Sequence, residues 1–322
     1  MSIWLIGAGP HACEYAKVLK SMGLEFEVIG RSTVSAKAFE AATGCPVHTG
    51  GLTRALAELA APTQAIVAVS FEQLAGVAVE LIDAGTQRIL LEKPGGLNLA
   101  ELGNVAAAAS QHKADVLIAY SRRFYASTRH ARQMIVEDGG PVSCTFEFTE
   151  WAHTIVPMAL PAKVKQSWVI ANSSHVPDLA FHLCGFPKDW KSWHAGALDW
   201  HSSASRFCGA GVTEQGVLFS YHADWEAPGR WAIEVLTRKR RFIFKPIEKL
   251  QVTLLGSVKI EPIEISDELD KAFKPGLYQE IQAFLATDDY LFCTINEQLE
   301  HGVIYSKMAG YTASSVLSVD IG

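Results

Sequence analysis

Residues 3–6 are apolar and lead straight into Gly7, Ala8, Gly9, Pro10, His11 and Ala12, which fit the pattern G-x-G-x-x-[GA]. Apolar residues before a glycine turn, with helix formers after it, constrain the start of the chain to strand, tight turn and helix. Each small residue has its own task there. Gly7 permits the tight turn, Gly9 lets the backbone approach a pyrophosphate, and Ala12 allows close packing of helix on strand. The helix start offers free N–H groups and the positive end of its dipole to an anion. Gly7, Gly9, Pro10, His11 and Ala12 are therefore the expected dinucleotide-binding loop.

The alternation continues. AKAFEAATG reads as helix, PVHTG as a short strand, TRALAELA as helix and QAIVAVS as a buried strand. FEQLAGVAVELIDAG (helix), QRILLE (strand), NLAELGNVAAAASQHK (helix) and DVLIAY (strand) follow. Strands separated by helices of this length imply right-handed βαβ units and a parallel sheet. Ligands bind such sheets outside the carboxyl ends of the strands. Gly7, Ser70, Lys93 and Tyr120 all fall at such ends. The stretch ILLEKPGGL places Lys93 between a buried strand and a sharp turn. Such a lysine is either a solvated strand end or a group aimed into the cleft.

The second strand, FEVIG at 26–30, is followed by Arg31, Ser32 and Thr33. An acidic residue commonly ends this strand in an NAD site and bonds the ribose 2′-hydroxyl. Here no carboxylate stands to repel a 2′-phosphate. Arg31 can pair with that phosphate and the Ser32 hydroxyl can donate to it. NADP is expected in preference to NAD.

Bulk properties exclude several classes. The 322 residues suffice for two domains, and 49% apolar with 19% charged residues suits a globular chain with a large core. Net charge is −6 with no long basic run, which argues against nucleic acid as a partner. Six cysteines lie without a CxxC pair, so neither a zinc cage nor a disulfide framework is expected, and a reducing compartment is the simpler reading. No metal site is expected: His175 and His182 stand seven apart, too far for one ion without further ligands. No apolar run has membrane-span length, and the start MSIWLIGAGP lacks a basic region before its apolar stretch. A cytoplasmic protein without a membrane partner is expected.

After Tyr120 the texture changes. RRFYASTRHARQMIVEDGG reads as a helix stopped by Gly139 and Gly140. The segments VSCTFEFTEW, GVLFSYHADW, RWAIEVLTRKRRFIF and LQVTLLGSVKI read as strands, the third as a hairpin turning at TRKRR. Helices are expected near 174–185, 277–287 and 297–315. The expected class is α/β: a Rossmann doubly wound parallel sheet over 1–120, then an α+β domain over 121–322 on a large, mainly antiparallel open sheet. Seven of eight tryptophans fall between 151 and 231. Aromatic faces stack on sugar rings, yet a buried tryptophan is usually core, so Trp151 and Trp168 are candidates for either.

GAGPHA at the start, EKP at 92–94, YSRRF at 120–124 and SSHVPDLAFHLCG at 173–185 together resemble the Gfo/Idh/MocA oxidoreductases. The resemblance covers nearly the whole chain, including the closing LYQEIQAFL. It implies a nicotinamide cofactor, a sugar-like small-molecule substrate and a homodimer or homotetramer built through the C-terminal sheet. Two positions depart from the family pattern. Ala171 stands where many members carry an aspartate, with Asn172 beside it as a substrate hydrogen-bond partner. Val69, Ser70 and Leu74 stand for T-P-x-x-x-H, so cofactor contacts in that loop are expected from the backbone.

By this resemblance Lys93 is the family lysine. Its ammonium beside the nicotinamide would stabilise charge developing on the reacting oxygen. Glu92 faces the other way by strand alternation and reads as structural, although it and Pro94 belong to the cofactor-side motif with Lys93. Pro94 is expected to shape the turn. His175 is the family histidine, suited to proton exchange near neutral pH. Ser173, Ser174 and Pro177 place it in a first helical turn, where the dipole favours neutral imidazole. Asp178 either orients an imidazole or caps the helix, and His182 reads as packing. Arg123 either binds an anionic substrate group or ties the domains, and Tyr120 and Trp168 are candidate pocket walls. The expected function is hydride transfer between nicotinamide and a hydroxyl or carbonyl carbon of a sugar or nucleotide-linked sugar. An imine reductase and a nucleotide-binding member without turnover are the alternatives.

Overall fold

The computed structural model describes residues 2–311. The end of the expected last helix, 312–315, lies outside the described residues. The chain divides into two units: one runs to Ser121 and takes in Leu269–Glu300, the other holds Arg122–Glu268 and the chain from His301 onward.

The first unit begins with β1 (Ile3–Ile6), α1 (Pro10–Ser21), β2 (Glu27–Ile29), α2 (Thr33–Thr43) and α3 (Leu52–Glu58). It continues with β3 (Gln64–Val67), α4 (Leu74–Asp83), β4 (Arg88–Glu92), α5 (Leu99–His112) and β5 (Asp115–Ala119). These strands pair in parallel in the order β5-β4-β3-β1-β2. The expected strand over PVHTG is only an isolated bridge, Ile29 to His48. The sheet is buried on both faces, which is why β1 and, after Gln64, β3 read as apolar runs. Local chemistry agrees with the helices. Ser32 caps α2 by accepting from Val34 and Ser35 N–H. Asn98 caps α5 by accepting from Glu101 N–H, while Glu101 accepts from Leu97 N–H.

The second unit holds α6 (Ala126–Glu137), ended by Gly139 and Gly140 at φ +93° and +96°. After β6 (Ser143–Glu147) come the short α7 (Ala152–Ile155) and α8 (Ala162–Gln166), a π-turn over Val169–Ser173, and α9 (His175–Cys184). Seven strands follow: β7 (Pro187–Ala195), β8 (Arg206–Thr213), β9 (Leu218–Asp224), β10 (Ala232–Leu236), β11 (Arg240–Phe244), β12 (Gln251–Leu254) and β13 (Glu261–Pro262). The eight strands form one sheet, β13-β12-β11-β10-β6-β9-β8-β7, antiparallel except at β6 and β9. Helix α9 lies on its apolar face, where Phe181 meets Phe146 and Phe219 edge-on at 5.5 and 5.3 Å. Each such pair adds about 0.5–1.5 kcal/mol beyond the area it buries.

The chain then runs through α10 (Glu268–Ala272), α11 (Leu277–Ala286), β14 (Cys293–Thr294) and α12 (Ile295–Ala309). Strand β14 adds antiparallel to β5, so the first unit is completed by residues far along the chain. Arg88, buried on β4, secures that return: it donates to Phe284 O at 3.2 Å and pairs with Asp289. Among the described residues no helix is long and apolar enough to cross a membrane.

Candidate active site

The first-unit sheet reverses its winding between β1 and β3. Such a switch point opens a crevice at the strands' carboxyl ends. A cavity of about 860 Å³ lies there, lined by Gly7, Gly9, Pro10, His11, Arg31, Ser32 and Ser70 among others. The two glycines are needed for different reasons. Gly7 has φ +125°, and a Cβ there would stand 2.3 Å from Ala68 O. A Cβ at Gly9 would meet no atom within 4 Å, and its φ of −94° suits any residue. Gly9 therefore leaves space that the protein itself does not fill. Helix α1 opens beside it with Pro10 in the first turn, no side-chain cap and no acidic residue. Those features fit the diphosphate of a dinucleotide. Ala12 is fully buried beneath the loop. Gly50, Gly51, Thr53 and Glu80, absent from the sequence reading, also line the cavity.

Glu92, Lys93 and Pro94 are not among the residues lining this cavity. Glu92 accepts from Tyr15 Oη at 2.7 Å and is bonded to His11 Nε2. Burial pushes its carboxyl upward, but His11, Tyr15 and Lys274 outweigh burial and hold it below the usual range. Lys274 Nζ donates to His11 Nδ1 at 3.1 Å, which leaves Nε2 as the donor to Glu92. The residue before the lysine thus fastens the end of β4 to the start of α1, beside the glycine loop. Lys93 is buried, with Nζ 5.3 Å from the centre of Phe71, which follows the cavity-lining Ser70. The Lys93–Pro94 bond is cis. Tyr120 is buried at the end of β5.

In the second unit two features bear on His175. First, α9 has no free start: the π-turn runs into it, and Ser174 N donates to Val169 O. The dipole argument for His175 loses its basis, because the N–H groups that create the positive end are partly used. Second, Asp178 is paired with Arg123. It takes Arg123 Nε at 3.0 Å and Nη2 at 2.6 Å. Trp168 is buried in the core against Trp200, whereas Trp151 is half-exposed beside a cavity of about 530 Å³. His182 is a half-buried residue, held well below the usual range by burial and by Arg123 and Arg132.

Glu150 gathers Asn172, Ser173 and Arg230 and left no local signal in the sequence. It accepts from Asn172 Nδ2 at 2.9 Å, Ser173 Oγ at 2.7 Å and Arg230 Nη1 at 3.1 Å. Burial nevertheless raises its carboxyl above the usual value. Asn172, expected at the substrate, has its amide nitrogen engaged here. The ring of His175 packs on Trp231 with centroids 5.9 Å apart.

No protein-family model and no curated protein matches the chain. Solved structures do. UDP-N-acetylglucosamine 3-dehydrogenase GnnA from Acidithiobacillus ferrooxidans superposes with TM-score 0.75 at 16% identity, over 98% of this chain and 99% of that one. Levoglucosan dehydrogenase in complex with NADH and L-sorbose gives 0.77 at 15%, over 99% of both. The WlbA dehydrogenase from Chromobacterium violaceum, in complex with NADH and UDP-GlcNAcA, gives 0.72 at 15%, over 97% and 93%. At these identities the likeness establishes architecture: the chain has the fold of sugar and nucleotide-sugar dehydrogenases of the Gfo/Idh/MocA type.

Proposed function

We propose that the protein is a nicotinamide-dependent oxidoreductase acting on a hydroxyl or carbonyl carbon of a sugar or nucleotide-linked sugar. The observation that carries this is the cavity over Gly7 and Gly9, with open space at Gly9 and an uncapped helix start beside it. The likeness of fold to dehydrogenases crystallised with NADH supports the same cofactor class. A bound nicotinamide supplies the hydride donor and acceptor. Arg31, exposed at the cavity wall, and Ser32 favour the phosphorylated form, NADP. That preference rests on these two residues alone.

In this reading Lys93 hydrogen-bonds the reacting oxygen and stabilises the negative charge that develops there as the hydroxyl proton leaves in oxidation, or as hydride adds to the carbonyl carbon in reduction. His175 takes the hydroxyl proton in oxidation and returns it in reduction. Its Nδ1 is buried, so Nε2 is the nitrogen assigned to the exchange. Glu92 holds Lys93 in place through His11 and Tyr15. Asn172 is assigned through its carbonyl oxygen rather than its amide nitrogen.

Steady-state turnover on a panel of sugars and nucleotide sugars tests these roles with Lys93→Met and His175→Ala. Loss of about 10²–10⁴-fold in kcat/KM is expected in each variant. Full turnover in both would overturn the assignment.

A further inference from the structure

Arg122 and Arg123 are neighbours in the sequence. The structure separates the two. Arg123 is buried against Asp178, whereas no carboxylate among the described residues pairs with Arg122. Arg122 instead lies over the ring of Trp231, with Cζ 4.9 Å from its centre. Arg230 lies over the same ring at 4.7 Å and over Trp151 at 4.8 Å. Two guanidiniums therefore share one indole, and that indole packs on His175.

Like charges this close repel unless something offsets them. Among the described residues Glu150 is the carboxylate that offsets the pair, through Arg230 at 3.1 Å. It also serves Asn172 and Ser173, so it gives the cluster at most one negative charge against two positive. Two further donors are under-satisfied. Arg122 Nε and Trp231 Nε1 are buried with no hydrogen-bond acceptor among the described residues. A buried donor without an acceptor is unfavourable, and in native proteins it calls for a specific explanation. Cation–π contact holds the guanidiniums in position without consuming their N–H groups. Planar guanidinium forks held this way match the oxygens of an acid group.

We infer that the substrate carries an acid group, carboxylate or phosphate ester, held by Arg122 and Arg230 over Trp231 next to His175. The inference rests on the oxidoreductase reading for the word substrate, but the anion site itself does not require it. The site sets which sugars are accepted, and the acid group stays unchanged by the reaction. Its contacts are the same before and during hydride transfer, so they act on KM rather than kcat.

The test is binding of glucuronate, glucose 6-phosphate and glucose to the full-length protein without cofactor, followed by Trp fluorescence and calorimetry. Glucuronate or glucose 6-phosphate is expected to bind and glucose not. Whichever of the two acids binds more tightly identifies carboxylate or phosphate as the preferred group. Arg230→Gln, at a half-exposed position, and Arg122→Gln are each expected to weaken that acid at least about tenfold. Unfolding temperatures of both variants show whether either change acts through the fold. Equal binding of glucose and both acids, or unaltered acid binding in the folded Arg230→Gln protein, would overturn the inference. Acid binding without turnover would instead leave the anion site standing and count against the oxidoreductase reading.

Discussion

Asp178 accepts from both Nε and Nη2 of Arg123, at 3.0 and 2.6 Å, and the two side chains are 0% and 6% exposed. Within the second unit this geometry joins the helix that carries His175 to the segment that precedes α6. Removing one partner leaves a buried charge without its counter-ion. Arg123→Met or Asp178→Asn is expected to cost about 3–5 kcal/mol in urea unfolding. The double change Arg123→Met with Asp178→Leu is expected to recover much of that loss, because two apolar groups bury without a charge penalty. A double variant no more stable than the singles would show that the pair acts in some other way.

Arg31 stands exposed at the cavity wall where a carboxylate is commonly found. Arg31→Ala is expected to weaken NADPH binding by roughly tenfold or more while NADH changes little, as loss of a charge-assisted contact predicts. Equal effects on the two cofactors, read as dissociation constants, would remove the 2′-phosphate role.

Glu280 is fully buried, and both of its carboxylate oxygens lack a hydrogen-bond partner among the described residues. Burial, then repulsion from Glu92, raises it well above its ordinary value of 4.5, against the opposing pull of Lys274. The folded protein thus keeps a proton that the unfolded chain has lost. Stability from this group is present below the ordinary value and declines as pH rises toward the folded one. Glu280→Gln keeps the shape and removes the titration. Its melting temperature is expected to match wild type near pH 4 and to exceed it increasingly toward pH 8. Parallel curves for the two proteins would contradict this.

The first unit was legible because its strands are short apolar runs and its helices carry visible caps at Ser32 and Asn98. The return of β14 to β5 was not, since a two-residue strand has no periodicity and its partner lies far back in the chain. Strands β7 and β8 were also missed. Residues 187–195 have no buried face to show alternation, and 206–213 contain Gly209 and Gly211, which read as breakers. In the fold these glycines make room: a Cβ at Gly209 would meet the Tyr221 ring at 2.5 Å, and one at Gly211 would meet Trp190 Cβ at 2.3 Å. The motif residues at 7–12, 93 and 175 were visible because spacing carries them. Glu150, Arg122 and Trp231 were not, because only tertiary packing gathers them around His175.

The account stands or falls on the dinucleotide cradle. Gly9→Val adds side-chain bulk into space where no protein atom lies within 4 Å of the Cβ, on a backbone that tolerates it. Gly7→Ala, by contrast, forces a Cβ against Ala68 O and is expected to destabilise the fold itself. The direct measurement is an NADPH titration of Gly9→Val beside wild type, with unfolding temperatures of both. A folded Gly9→Val protein of unchanged melting temperature whose NADPH dissociation constant rises at least about tenfold is the predicted result. An unchanged dissociation constant would place the coenzyme elsewhere and contradict the account.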